Sequence, residues 1–179
     1  MIVDDDQRLV EQALRGDTKA FECLVEKYQK LVFNLAYRMS RDSDDSADIT
    51  QTVFLKVYEK LKSFDTKYKF FSWLYRIAVN ESLNAVQKRV PSEQFNEETV
   101  VSQDTSYDSI DSEDASQRVQ EALLELDLNY RVVIVLRHFQ DLSYEEISQI
   151  LDISEKKVKS RLFSGRTMLR TICQRRGIA

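Results

Sequence analysis

The stretch that decides the fold runs Leu142-Ser143-Tyr144-Glu145-Glu146-Ile147-Ser148-Gln149-Ile150-Leu151-Asp152-Ile153-Ser154-Glu155-Lys156-Lys157-Val158-Lys159-Ser160-Arg161-Leu162-Phe163-Ser164-Gly165-Arg166. Ser143 and Glu146 have the spacing of a capping box, in which each side chain satisfies an orphan backbone N–H at a helix start. Ile147, Ile150 and Leu151 then form an inward stripe, and Asp152-Ile153-Ser154 makes a turn. Ser154 is the natural cap of a second helix reaching to about Cys173, with Val158, Leu162 and Leu169 facing inward and Gly165 allowing close approach. Helix, short turn and longer helix make a helix-turn-helix. Residues 156–176 hold 8 basic and no acidic groups. Lys156, Lys159, Ser160 and Phe163 fall on the N-terminal exposed face of that second helix, where such a helix meets base edges in a major groove. Arg166, Arg170, Arg175 and Arg176 suit phosphates.

Working outward, the chain around this motif is helical too. Its 179 residues include only 3 glycines and 1 proline, too few for the turns of a β-sandwich or barrel. The expected fold is all-α. The formal charge of −4 hides an uneven distribution. Residues 1–89 carry 15 basic and 14 acidic groups, residues 90–117 none and 8, and residues 118–179 11 and 8. The middle segment opens with Val90-Pro91 and is rich in Ser, Glu, Asp, Gln and Thr. It has too little apolar surface to offset its ordering entropy, so it reads as a flexible acidic linker. Two small helical domains follow, 1–89 and 118–179, joined by the linker 90–117. In the second, Val119–Leu126 and Tyr130–Phe139 precede the motif. Val132, Val133, Ile134 and Val135 are strand formers individually, but a lone strand has nothing to pair with, which favours helix.

The first lobe shows helical periodicity. Phe21, Leu24, Val25, Tyr28, Val32, Leu35, Ala36 and Met39 recur at three- and four-residue steps, with Asp17 or Thr18 as cap. A second helix follows the polar break 40–46, with Ile49, Val53, Val57 and Leu61 inward. A third, from near Ser72 to about Arg89, buries Leu74, Ile77 and Ala78. The other side of this third helix carries Trp73, Arg76, Asn80, Asn84 and Gln87. Just before it lies an aromatic cluster, Phe64, Tyr68, Phe70, Phe71, Trp73 and Tyr75, interleaved with Lys67, Lys69 and Arg76. Aromatic faces stack unpaired bases at roughly 1–3 kcal/mol each, and cations beside them follow a phosphate backbone. At least half of these aromatics are expected in the core.

No enzymatic constellation accompanies these signals. His138 is the sole histidine and sits in an apolar helix. The acid pairs Glu145-Glu146 and Asp44-Asp45 are adjacent in sequence and point apart. No Gly-rich phosphate loop or metal-ligand cluster is present, so neither catalysis nor a cofactor is expected. Cys23 and Cys173 read as isolated reduced thiols. No stretch reaches the ~18–20 apolar residues of a membrane span, and the acidic start Met1-Ile2-Val3-Asp4-Asp5-Asp6 is unlike a signal peptide. A cytoplasmic protein without membrane insertion is expected.

Three motifs together carry a family resemblance. Phe70-Phe71-Ser72-Trp73-Leu74-Tyr75-Arg76-Ile77-Ala78-Val79-Asn80 resembles the −10-recognition segment of an extracytoplasmic-function (ECF) sigma factor of the sigma-70 family. Asp48-Ile49-Thr50-Gln51-Thr52-Val53-Phe54-Leu55-Lys56-Val57-Tyr58 resembles the helix with which that family binds the RNA polymerase clamp. The tail from Leu142 to Leu162 resembles its −35-reading module. The resemblance implies a first lobe docked on the coiled-coil clamp of polymerase β′ through Asp48, Gln51, Phe54, Lys56 and Tyr58. It implies −10 contacts from Phe64, Lys67, Lys69, Phe70, Trp73, Arg76, Asn80 and Asn84, and −35 contacts from Lys156, Lys159, Ser160, Phe163, Arg166 and Arg170. The second lobe would engage the β flap, and an anti-sigma factor would hold the protein silent until stress arrives. Two other readings remain open from the residues: a helix-turn-helix regulator that works without polymerase, and a decoy that sequesters an anti-sigma factor without binding DNA.

Overall fold

Short polar caps mark where five of the helices start. Asp17 accepts from the backbone N–H groups of Lys19 and Ala20, Asp42 from Asp45, Asp127 from Asn129, Ser143 from Glu146 and Ser154 from Lys157. The computed structural model describes residues 5–89 and 112–178. In chain order these form α1 (Asp5–Leu14), α2 (Thr18–Ser40), α3 (Ser43–Lys60), a 3-10 turn at Leu61–Ser63, α4 (Phe70–Arg89), α5 (Ser112–Leu124), α6 (Leu128–His138), α7 (Tyr144–Leu151) and α8 (Glu155–Arg175). The all-α expectation holds, with no strand among the described residues.

Helices α2, α3 and α4 pack around Leu24, Val32, Leu35, Met39, Val53, Val57, Leu74 and Tyr75, all fully buried. Helix α1 lies against them and is pinned by a buried carboxylate. Asp6 accepts from Lys27 Nζ at 2.5 Å and from the Tyr28 hydroxyl. In the second lobe α6 is central. Residues 132–136 are apolar and all buried, so the helix is apolar on nearly every side there, which is why its sequence resembles a strand. At Gly165 on α8 a Cβ would come within 3.3 Å of Ile134 Cγ1 and Tyr130 Cβ, the close approach expected there. The capping box and the turn at Asp152, which takes a left-handed conformation, are as the motif requires.

Residues 90–111, most of the expected linker, lie outside the described residues. Helix α5 begins at Ser112, so it takes in residues 112–117 that composition assigned to the linker. The two lobes also touch. Arg131 of α6 is only 6% exposed, and its guanidinium donates to the carbonyls of Met39 in α2 (2.8 Å) and of Leu124 and Leu126 (2.5 and 3.0 Å). Such bonding is what makes a buried cation tolerable, although burial still lowers its pKa to about 10. Gln120 of α5, also buried, accepts from Arg38 Nη1 and donates to the Arg38 carbonyl, both at 2.9 Å.

Candidate nucleic-acid interface

Helix α8 presents its basic face as the sequence predicts. Lys156, Lys159, Ser160, Phe163, Arg166 and Arg170 are all exposed, and Phe163 stands 74% exposed. Lys159 is held near Glu155 at 3.7 Å and above the Tyr144 ring at 5.6 Å. Arg166 Nε donates to His138 Nε2 at 3.1 Å, which requires a neutral imidazole. Partial burial, together with the positive charges of Arg166 and Arg137, lowers the His138 pKa, against the opposing pull of Asp141. Arg175 and Arg176 do not stand free for phosphates: Arg175 pairs with Glu125, and Arg176 with Glu121 at 2.8 Å and Glu125 at 2.5 Å. The basic surface is therefore concentrated in the first four turns of α8.

The first-lobe surface needs two corrections. Phe64 and Phe70, expected to contact −10 DNA, are 8% and 3% exposed. They pack edge-on to each other at 5.8 Å and both lean on Trp73, so they are core and support for the loop. The exposed aromatic of this segment is Tyr68, 69% exposed between exposed Lys67 and Lys69. The 3-10 turn and the start of α4 orient both phenylalanines inward, a placement that composition cannot reveal. Arg76, Asn80 and Asn84 stand exposed along α4 at four-residue steps, while Trp73 is half-buried at their N-terminal end.

The third correction lies on α3. Phe54, expected at the polymerase clamp, is buried at 8% exposure, and the exposed apolar side chain is its neighbour Leu55 at 59%. Asp48, Gln51, Leu55 and Tyr58 fall on one exposed stripe, with Tyr58 60% exposed and edge-on to Phe21. Lys56 is tied to Glu81 of α4 at 2.7 Å, so it braces α3 against α4. The signal for Leu55 was present in the sequence. It is an apolar residue off the Ile49, Val53, Val57 stripe, and helical phase sends it to the opposite side.

These surfaces are not all separate. Arg76 on α4 donates to the Gln149 carbonyl at 2.9 Å and pairs with Asp152 at 3.4 Å, so the turn of the helix-turn-helix lies on the polar face of α4. Among the described residues no group of three metal-ligating side chains occurs, and no helix is long and apolar enough to cross a membrane.

Two family models match the chain. Residues 24–90 match the family model of Sigma-70 region 2, and residues 116–169 that of Sigma-70, region 4. The chain is 34% identical over 176 residues to the ECF RNA polymerase sigma factor SigW of Bacillus subtilis (strain 168), covering 92% of this chain and 94% of that one. It is 38% identical over 173 residues to the ECF RNA polymerase sigma-E factor of Escherichia coli (strain K12), covering 90% of each. Among solved structures, CnrH in complex with the cytosolic domain of CnrY superposes with a TM-score of 0.76 at 26% identity, over 96% of this chain and 98% of that one. The sigma factor RpoE in complex with the anti-sigma factor NepR from Bartonella quintana gives 0.67 at 25% identity, over 87% and 98%.

Proposed function

Because the chain belongs to the ECF sigma factors of the sigma-70 family, the subunits that direct RNA polymerase to promoters, we propose a division of labour among its three exposed faces. The α3 stripe of Asp48, Gln51, Leu55 and Tyr58 docks on the coiled-coil clamp of polymerase β′, and Lys56 keeps that helix in place through Glu81. In the loop before α4, Tyr68 stacks an extruded −10 base, with Lys67 and Lys69 beside the phosphates. Asn80 and Asn84 offer amides to base edges, Arg76 a cation to the backbone, and Trp73 borders the melted region. Lys156, Lys159, Ser160 and Phe163 enter the −35 major groove, with Arg166 and Arg170 on the flanking phosphates. The second lobe also engages the β flap. The protein acts in the cytoplasm, beside the polymerase, under control of an anti-sigma factor of the kind that accompanies RpoE of Bartonella quintana.

The observation that carries this reading is the exposure of two large apolar side chains on α3, Leu55 and Tyr58. A regulator working without polymerase needs the α8 face but has no use for Leu55 and Tyr58 in water. A decoy needs neither Lys159 nor the exposed Phe163. Run-off transcription with core polymerase on a random promoter pool separates the three. Promoter-dependent initiation is expected, and its absence from every template overturns the reading. Asn80→Ala should cut open-complex formation about tenfold, the weight of one good base-edge contact, with core binding unchanged. Open complexes formed at the wild-type rate would remove Asn80 from the site.

A further inference from the structure

One titratable side chain beside the −35 surface has no part in the function proposed above. His138 is the only histidine in the chain. It stands exposed in the last turn of α6, where the carbonyl ends of a helix favour a cation. Its Nε2 accepts from Arg166 Nε at 3.1 Å, and Arg166 is assigned above to a −35 phosphate. This bond uses the lone pair that a proton would take, so it exists only while the imidazole is neutral. Three charged groups act on the ring: Arg166 from α8, Arg137 from α6 itself and Asp141 from the loop that follows. No charged group of α2 or α7, the other helices packed on α6, is among them. Two cations and partial burial outweigh the single carboxylate, which keeps the free ring neutral near pH 7.

A phosphate brought to Arg166 reverses that balance. Its negative charge offsets both arginines, and an opposite charge within ~4–6 Å favours the charged form of a side chain by about one pKa unit or more. Once a solvent proton is bound, Nε2 turns from acceptor to donor. It releases Arg166 Nε, and both groups then donate to the anion between them. The phosphate separates two cations that would otherwise repel.

We propose that His138 is a proton-coupled −35 phosphate contact: neutral and bonded to Arg166 in the free chain, it takes up a proton when duplex DNA reaches α8 and joins Arg166 on the same phosphate. The inference rests on the −35 assignment of the α8 face. A group whose pKa is raised on binding adds affinity that is complete below its free value and is lost as pH rises through its bound value. Affinity for the −35 element therefore increases as pH falls from 8 to 6. With one histidine in the chain, no second imidazole contributes to that change.

The test uses holoenzyme assembled with wild type, His138→Gln or His138→Ala. The probe is a fluorescein-labelled −35 duplex cut from a promoter that initiates in the run-off assay. Glutamine offers Arg166 an oxygen acceptor but takes no proton, and the comparison with it cancels every histidine of the polymerase. The ratio of wild-type to His138→Gln affinity should grow about fivefold from pH 8 to pH 6, the larger part of the tenfold that a one-unit shift allows. At pH 6 the wild type should also show a slope of log affinity against log salt steeper by up to ~0.9, one further phosphate. A ratio that stays constant with pH overturns the proton coupling. A changing ratio with identical salt slopes overturns the phosphate contact. If His138→Ala loses the same factor at both pH values and His138→Gln restores it at both, His138 only braces Arg166 and the proposal falls. A chain that initiates from no promoter sinks the sigma-factor reading, and the −35 role of His138 with it.

Discussion

Helices α4 and α8 carry similar alphabets, polar and cationic residues at three- and four-residue steps, yet their surfaces have different fates. The face of α8 is open from Lys156 to Arg170. The face of α4 is shared: Asn80 and Asn84 are exposed, whereas Arg76 is engaged by the α7–α8 turn. Helical phase accounts for most of α8, whose partners on that face, Glu155 and Tyr144 for Lys159 and His138 for Arg166, belong to its own lobe. It fails to explain α4, because a partner 73 residues further along the chain reaches Arg76. A solvent-facing stripe is a local property, and a free one is a tertiary property.

The same contrast appears within two adjacent residues of α3, and it gives the largest expected effect. Phe54→Ala removes a buried ring and should destabilise the fold by ~3–5 kcal/mol, read from urea unfolding. A loss under about 1 kcal/mol would return Phe54 to the surface. Leu55→Ala should do the reverse, leaving unfolding within about 0.5 kcal/mol of wild type. Its affinity for core polymerase should fall about tenfold in a fluorescence-anisotropy titration. Equal effects of the two substitutions on core binding would erase the distinction.

On α8 the expected effects are smaller and electrostatic. Arg166→Ala should reduce the slope of log affinity against log salt by about 0.9 for −35 duplex DNA, the mark of one lost phosphate contact. An unchanged slope would mean that the bond to His138 is what Arg166 is for.

The smallest expected effect is on the pH dependence of stability. The Ser143 backbone N–H, at 2.9 Å, and the Ser143 hydroxyl hold Glu146 below its ordinary value of 4.5, with Lys69 adding to the shift. A carboxyl depressed in the folded chain contributes stability that is complete above 4.5 and fades as pH falls through the folded value. His138 acts in the same direction: its folded pKa lies below 6.5, so the unfolded chain binds the proton more readily and stability declines as pH drops below 6.5. Thermal unfolding followed from pH 7 to 4 should therefore show a steady loss. Glu146→Gln should flatten its lowest part, and a curve identical to wild type would remove the capping box from that loss.

Much of the second lobe was legible because its information is local. Ser143, Glu146, Asp152 and Ser154 mark helix ends through bonds that span three or four residues, and Gly165 marks a close approach by lacking a side chain. The all-α class followed from the scarcity of turn formers, and the basic face of α8 from charge and phase. The aromatic segment was less legible. Phe64, Tyr68 and Phe70 have similar composition and spacing, and which ring turns inward depends on a 3-10 turn and on the site that Trp73 offers. Helix α1, with its buried Asp6, needed the structure for the same reason, whereas the strand-like run in α6 was readable as helix because a lone strand has no partner.

The sequence by itself determined the phase of seven helical segments, the caps of three of them, the acidic middle segment and the family. Each of those is written in residues close together in the chain. Only the tertiary structure decided that Arg131 is buried across the lobe junction, that Leu55 rather than Phe54 meets solvent, and that Arg76 is already occupied. The physical reason is that burial and hydrogen bonding are properties of what lies opposite a side chain. For these residues the opposite surface comes from a distant part of the chain.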